Sequence, residues 1–507
     1  MSTTPGPDDG LQHARQVWWA GYVLVVGSGV LIAALARRRL TEPFLGLSLA
    51  VIMLILLGWL IRPRATLYAT LFLTAISDLV TVWWFPFAKN LSSRESISFV
   101  ADALTISPLE ITLYLGLVVS CLRRYANTGT IIPRTPLTWP LVTFTAFVAY
   151  GYARGLDAGG DLRIAVIEGR ALFYVLLVFV IVVNECSDRI HLRWAMWAVI
   201  AGVVVQSLLS IDYLNRLDPR ERDSLQGLNE HGSALGHNLV TVMMIGLLLL
   251  HVRRPLIKWA LVAALVPTVY VFFVSQRRSG VAALVVAGAI MAITLLWRRP
   301  RAFWLIVPFL ALLVTGYVAA FWNSTSSLAF PAQAIKSIIA PESASAEDRS
   351  SDLYRLIEAY DVNYTIRTSP LLGLGFGRQF YRPVFLPDIS VFGLNAYVPH
   401  NNVLWIWIKT GFGGFAAMFY VFAKAIMMGA ARVRRAVLDV DLVVTLTATL
   451  FAVMFAVYSY VDVSWDARNT VFLGLAFAIC GGEVGDATPA ATRARDQQVV
   501  QEYAAAL

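Results

Sequence analysis

Ala302-Phe-Trp-Leu-Ile-Val-Pro-Phe-Leu-Ala-Leu-Leu-Val-Thr-Gly-Tyr-Val-Ala-Ala-Phe-Trp322 contains no charged side chain. Arg298, Arg299 and Arg301 precede it, and the polar run Asn323-Ser-Thr-Ser-Ser327 follows. A helix that crosses a bilayer needs roughly 20 apolar residues, and this stretch supplies them. Working outward, comparable runs lie near 17–36, 44–61, 66–87, 106–122, 136–152, 171–184, 193–212, 234–251, 257–275, 279–297, 402–428, 438–460 and 467–481. The segments at 136–152, 171–184 and 467–481 are short for a span, so they re-enter the membrane or merge with flanking helix. The 507 residues are 58% hydrophobic and only 14% charged, which excludes a soluble enzyme and a disordered chain. The runs lack the in-out alternation of an outer-membrane barrel. The expected fold is therefore all-α: a polytopic transmembrane helical bundle of about 12–14 spans.

The arginines orient this bundle. Basic loops stay on the cytoplasmic side. Clusters at Arg123, Arg124 and Arg134, at Arg253, Arg254 and Lys258, at Arg298, Arg299 and Arg301, and at Arg432, Arg434 and Arg435 fall on one side of alternating spans. That arrangement puts residues 88–105, 153–170, 213–233, 276–278 and 323–401 outside. It divides the chain into a cytoplasmic tail at 1–16, a first transmembrane part at 17–322, an extracytoplasmic loop at 323–401, three last spans within 402–481 and a flexible tail at 482–507. Arg37, Arg38 and Arg39 land outside and break the pattern. Ala34-Leu35-Ala36 resembles a signal-peptide cleavage site, but the run before it is long for one. Net charge is +9, which topology accounts for; no continuous basic face interleaved with aromatics points to nucleic acid. Cys121, Cys186 and Cys480 lack metal-site spacing and read as small buried hydrophobes.

Residues 323–401 form the one long segment outside the spans. Within it, Leu353, Leu356, Ile357, Tyr360 and Tyr364 recur at helical spacing. They predict an amphipathic helix on the membrane or over the bundle, with Asp352 capping its start. Asp348, Asp352, Glu358 and Asp361 fit the solvated face of that helix. The glycines of Ser369-Pro-Leu-Leu-Gly-Leu-Gly-Phe-Gly377 have no preceding strand and no following Gly-Lys-Ser/Thr, so they form a tight turn and not a phosphate loop. The loop exits through Tyr397-Val-Pro-His-Asn-Asn402.

Four outward arginines run against the positive-inside pattern: Arg277 and Arg278 in an outer hairpin, Arg170 at the start of a span, and Arg355 on the loop helix. Each singly suits snorkelling to headgroups. As a set they suit an anion site, because guanidinium pairs bidentately with phosphate and stays charged. His400 sits where the loop meets the membrane, and an imidazole suits proton abstraction from a hydroxyl. His231 and His237 lack zinc spacing and read as hydrogen-bonding or gating groups. Asp78 and Lys409 lie within spans, where a charge is either functional or held by a polar partner inside the bundle.

The series Arg278-Ser-Gly-Val-Ala-Ala-Leu284, Arg355-Leu356, Ser369 to Gly377, Val398-Pro-His-Asn-Asn402 and Gly411-Phe-Gly-Gly414 resembles, in order, the signature of the O-antigen ligase and polymerase family. The resemblance covers roughly 275–425. It implies an integral-membrane glycosyltransferase of the C type. Such an enzyme takes a glycan from an undecaprenyl diphosphate carrier on the outer face of the inner membrane. Ligases pass it to a lipid core, and polymerases to another carrier-linked glycan.

The resemblance implies that His400, the candidate catalytic residue, matches the family's essential loop histidine and that Arg278 and Arg170 engage the diphosphate, with Arg277 and Arg355 as further candidates. Tyr397, Asn401, Asn402 and Lys409 are candidates for contacting the acceptor or supporting the site. Lys409 departs from the family, which commonly carries an acidic residue there. No metal and no cofactor is called for. The implied partners are a polyprenyl-diphosphate-linked glycan donor, a glycan or glycolipid acceptor and membrane lipids. A lipid or glycan transporter and a non-catalytic assembly partner are the competing readings.

Overall fold

The computed structural model describes residues 53–78, 80–81, 87–91, 105–186, 188–218, 221, 228–230, 232–252, 254–324, 329–340, 346–386 and 393–482. The run at 17–36, the first half of that at 44–61, Arg37, Arg38, Arg39, His231 and the tail from 483 lie outside the described residues. Among the described residues the chain is helical, without strands. After a helical segment at 53–61 come α1 (Pro63–Ile76), α2 (Pro108–Thr128), α3 (Thr138–Asp157), α4 (Leu162–Glu185), α5 (Arg189–Arg216) and α6 (Ser233–Gly246). Then follow α7 (Pro255–Val274), α8 (Arg278–Arg298), α9 (Pro300–Ala320), α10 (Phe330–Ile339), α11 (Ala346–Thr368), α12 (Asn402–Arg435), α13 (Asp439–Val461) and α14 (Ala467–Gly481). A π turn, Leu247–His251, extends α6.

Eight of the described helices are long and apolar enough to cross a membrane: α4, α5, α6 with its π turn, α7, α8, α9, α12 and α13. The chain is a polytopic helical membrane protein. Two of the three short runs merge with flanking helix, as α3 and α4. The third, α14, stays short at 15 residues. Arg468 through Gly481 of α14 are all buried, so this helix is a central post against α4, α12 and α13. By contrast α9, which holds the charge-free run from Ala302, buries none of its residues. Its apolar surface suits contact with lipid tails alone.

Helix starts follow from local chemistry. Ser107 and Glu110 form a capping box at α2, with Pro108 in the first turn and Gly129 closing the helix at φ 69°. Asp161, Asp188, Asn401 and Asp466 each accept a backbone N–H at the starts of α4, α5, α12 and α14. Each such cap is worth about 1 kcal/mol.

The basic clusters gather at one end of the bundle. Arg298 donates to Val433 O and Ala436 O, and Arg299 to Leu250 O and Asp439. Arg193 pairs with Asp441 at 2.6 Å, Arg432 donates to Ile479 O, and Arg123 and Arg64 both reach Glu185. Alternating spans predict this clustering. At the other end lie the starts of α4, α8, α12 and α14.

Candidate functional site

The loop after α11 enters the bundle. Gly373, Gly375 and Gly377 all have positive φ, at 69°, 87° and 77°. A Cβ at Gly375 would collide with the backbone nitrogen of Gly155 on α3, so both steric bulk and φ require glycine there. Phe376 fills a slot left by the absent side chains of Gly151, Gly155 and Gly169. It packs edge-on against Trp405, with centroids 5.9 Å apart. The segment is a turn, as its composition predicts, but it is also wedged between helices.

α12 breaks to receive it. Gly411 has φ 69° and ψ −176°, which separates a half-helix, 402–410, from the remainder. The break frees Ile408 O to accept Leu374 N at 2.6 Å and lets Phe412 N donate to Pro370 O. Lys409, at the end of the half-helix, pairs with Glu168 of α4 at 2.6 Å, both side chains being fully buried. Its Nζ also donates to Arg378 O at 2.6 Å. Glu168 accepts Gly377 N and Trp405 Nε1 as well. This ion pair thus joins α4, the glycine turn and the half-helix, with its remaining hydrogen-bonding capacity used on neighbours.

His400 lies just before the half-helix. Its backbone N–H donates to Glu358 Oε2 at 2.9 Å, and its Nδ1 is 3.1 Å from both Glu358 oxygens. Tyr354 meets the ring edge-on at 5.6 Å. Glu358 is buried, whereas the imidazole stays partly exposed. Asp361, one turn further along α11, is buried too and accepts Val384 N. Burial pushes its carboxyl above the ordinary carboxylate range. The expectation that Glu358 and Asp361 lie on a solvated face is therefore overturned. The helix turns these two carboxylates inward and leaves Leu353, Leu356, Tyr360 and Tyr364 exposed. The remaining residue of that stripe, Ile357, is partly buried against the cluster of Val362, Ile366, Leu374 and Ile408. Asp352 also differs from expectation: α11 begins at Ala346, so Asp352 lies inside the helix and caps nothing.

Arg278 reaches the same helix, donating to Asp352 at 3.0 Å. Six residues separate Asp352 from Glu358, about 9 Å of helical rise. A second route also links Arg278 to His400. Ser279 donates to Asp462, and the backbone N–H of Ser464 donates to Asn402 Oδ1 at 2.9 Å. Asn402 also donates to Pro399 O, beside His400. The structure therefore ties the α8 start and the loop exit together from both sides. Arg277 turns inward, with a buried Nε that lacks a hydrogen-bond partner. Arg355 also carries a buried Nε without a partner.

Other sequence candidates serve different contacts. Arg170 donates to Thr105 O at 2.6 Å and to Glu110 at 3.2 Å, which directs it at the start of α2. Asn401 caps α12 through Leu404 N. The Tyr397 hydroxyl accepts from Gln379. Asp78 is held by Thr81, Ser233 and Arg468, the polar partner inside the bundle. His237 is buried, with Nδ1 2.8 Å from Ser233 O. Sequence reasoning missed Glu168 and Glu358. Glu168 stands in the apolar start of α4 and offers a clue, since a lone acid there needs a cation. Glu358 carries no such signal among the other acids of α11.

Residues 263–419 match the family described as O-antigen ligase. Over this stretch the chain is similar to the O-antigen ligase family. The O-antigen ligase match runs from within α7 into the second part of α12, so it contains Arg277, Arg278, Arg355, Glu358, His400 and Lys409. Arg170 and Glu168 lie before it. No curated protein matches the chain.

Proposed function

We propose that this protein is a membrane glycosyltransferase. In this reading it moves a glycan from a polyprenyl-diphosphate carrier to an acceptor hydroxyl on the outer face of the bacterial cytoplasmic membrane. The observation that carries the reading is the pairing of His400 with Glu358 on α11, the helix that also holds Arg278 through Asp352.

With Nδ1 turned to Glu358, Nε2 is the nitrogen left for substrate. A neutral ring that donates Nδ1–H to the carboxylate presents a lone pair at Nε2. That lone pair takes the proton of the acceptor hydroxyl. The hydroxyl oxygen attacks the anomeric carbon as the bond to the diphosphate breaks, and the electron pair leaves with the diphosphate. The displacement inverts the anomeric centre. Diphosphate is a weak base, so no general acid is needed, and as drawn the reaction calls for no metal or cofactor.

Charge grows on the leaving group, and Arg278 and Arg277 stabilise it. The Asp352 partner of Arg278 is more than half exposed, at 55%, so exchanging it for a diphosphate costs little. Arg170 serves the same anion only if it gives up Glu110. Losing one such cation costs about 3–4 kcal/mol of transition-state stabilisation. The buried Lys409–Glu168 pair supports the site by fixing the glycine turn.

The test is transfer from a carrier-linked glycan by purified protein. His400→Ala and Arg278→Ala should keep expression and fold and abolish transfer. Full transfer by His400→Ala removes the base role. Carrier-linked repeats supplied without a separate acceptor lengthen only if the protein is a polymerase of this family.

A further inference from the structure

A cavity of about 520 Å³ opens beside the glycine turn, within the size range of small-ligand sites. Asp161, Arg378, Gln379, Tyr381, Arg382 and Tyr397 line it. His400 is not part of the lining, but Tyr397 lies three residues before it. The walls are fixed from behind. Lys409 holds Arg378 O at 2.6 Å and Glu168 holds Gly377 N at 2.9 Å. Arg382 donates to Asn395 O and lies 4.9 Å over the Phe380 ring. Gln379 donates to the Tyr397 hydroxyl. The Arg378 side chain, half-buried, makes no hydrogen bond or ion pair to any described residue. A fully buried ion pair thus fixes the backbone of an arginine whose charge no described residue pairs.

We infer that this cavity binds an anionic saccharide, a sugar unit carrying a carboxylate or a phosphate. It is the subsite that presents the acceptor to His400, and that role rests on the proposed function. Aromatic faces at Tyr381 and Tyr397 suit the apolar side of a sugar ring. The Gln379 amide and the exposed Asp161 carboxylate suit its hydroxyls. Two guanidinium groups against one carboxylate leave a net positive lining. A neutral sugar would leave Arg378 unpaired, whereas an anion forms charge-assisted hydrogen bonds with it.

The experiment measures binding to the full-length protein in detergent, without donor, by titration calorimetry. The probes are a hyaluronan tetrasaccharide for carboxylate, pentamannose 6-phosphate for phosphate, chitotetraose as a neutral sugar, and inorganic pyrophosphate. One of the two charged saccharides should bind at least about tenfold more tightly than chitotetraose, and which one it is names the anion. Arg378→Ala should erase that preference and Arg278→Ala should keep it. Arg378→Gln repeats the test should the alanine variant fail to fold.

Equal binding of neutral and charged saccharides overturns the inference, as does no binding at all. So does a preference that survives at Arg378→Ala, or competition by pyrophosphate as strong as that by the charged saccharide. Saccharide binding that persists in a protein whose His400→Ala variant still transfers glycan would sink the catalytic reading and leave this site standing.

Discussion

Glu358 holds His400 twice, through the backbone N–H at 2.9 Å and through Nδ1 at 3.1 Å. One buried carboxylate thereby sets both the position of the loop exit and the rotation of the ring. This makes Glu358 a positioning residue. Glu358→Gln should lower the turnover of glycan transfer by about 10- to 100-fold, a share of what a general base supplies. The acceptor KM should stay unchanged, because Glu358 touches no substrate. Glu358→Asp should recover part of the loss. A variant with unchanged turnover, or one whose loss lies wholly in KM, would remove this role.

Lys409 and Glu168 make the second prediction. Removing one member of a buried ion pair leaves the other charge stranded, at about 3–5 kcal/mol, while removing both is far milder. Lys409→Met should therefore lower the thermal unfolding temperature in detergent more than the double variant Lys409→Met with Glu168→Gln. Losses that simply add would show that the two residues act separately.

Asp361 supplies a pH dependence. Its Oδ2 is buried without a hydrogen-bond partner, and burial raises its carboxyl pKa. A raised acid pKa means the folded state binds the proton more tightly than the unfolded state does. Stability is then greatest when the group is protonated and falls as pH rises from about 4 through the folded value. Asp361→Asn keeps the acceptor for Val384 N and discards the charge. Its unfolding temperature should exceed that of the parent protein at pH 7, with the gap closing towards pH 4. A gap that widens on acidification would reverse the assigned sign.

How much of this was legible in advance depended on the physical signal each feature leaves. Apolar run length revealed the bundle, because bilayer thickness sets a length that local sequence must meet. Arginine placement predicted that Arg298, Arg432 and Arg123 would share one end. His400 stood out because it sits beside Pro399 and Asn401 at a membrane edge. Glu358 did not, because exposed and buried acids on one helix look alike until a neighbour arrives to cover them. The inward turn of α11 is decided by tertiary contacts with residues 384 and 400, which no helical period encodes. Phe376 escaped for the same reason: its slot is made of glycines from two other helices.

The break at Gly411 has a consequence for movement. The glycine turn is pinned at Ile408 and Gly151, and Pro370 before it at Phe412, so the half-helix that follows His400 is held at the same joint. Neither can swing without unseating the other, so this side of the loop is a fixed anvil. Movement on this face is left to α11, whose outer apolar residues Leu353, Leu356, Tyr360 and Tyr364 lie open.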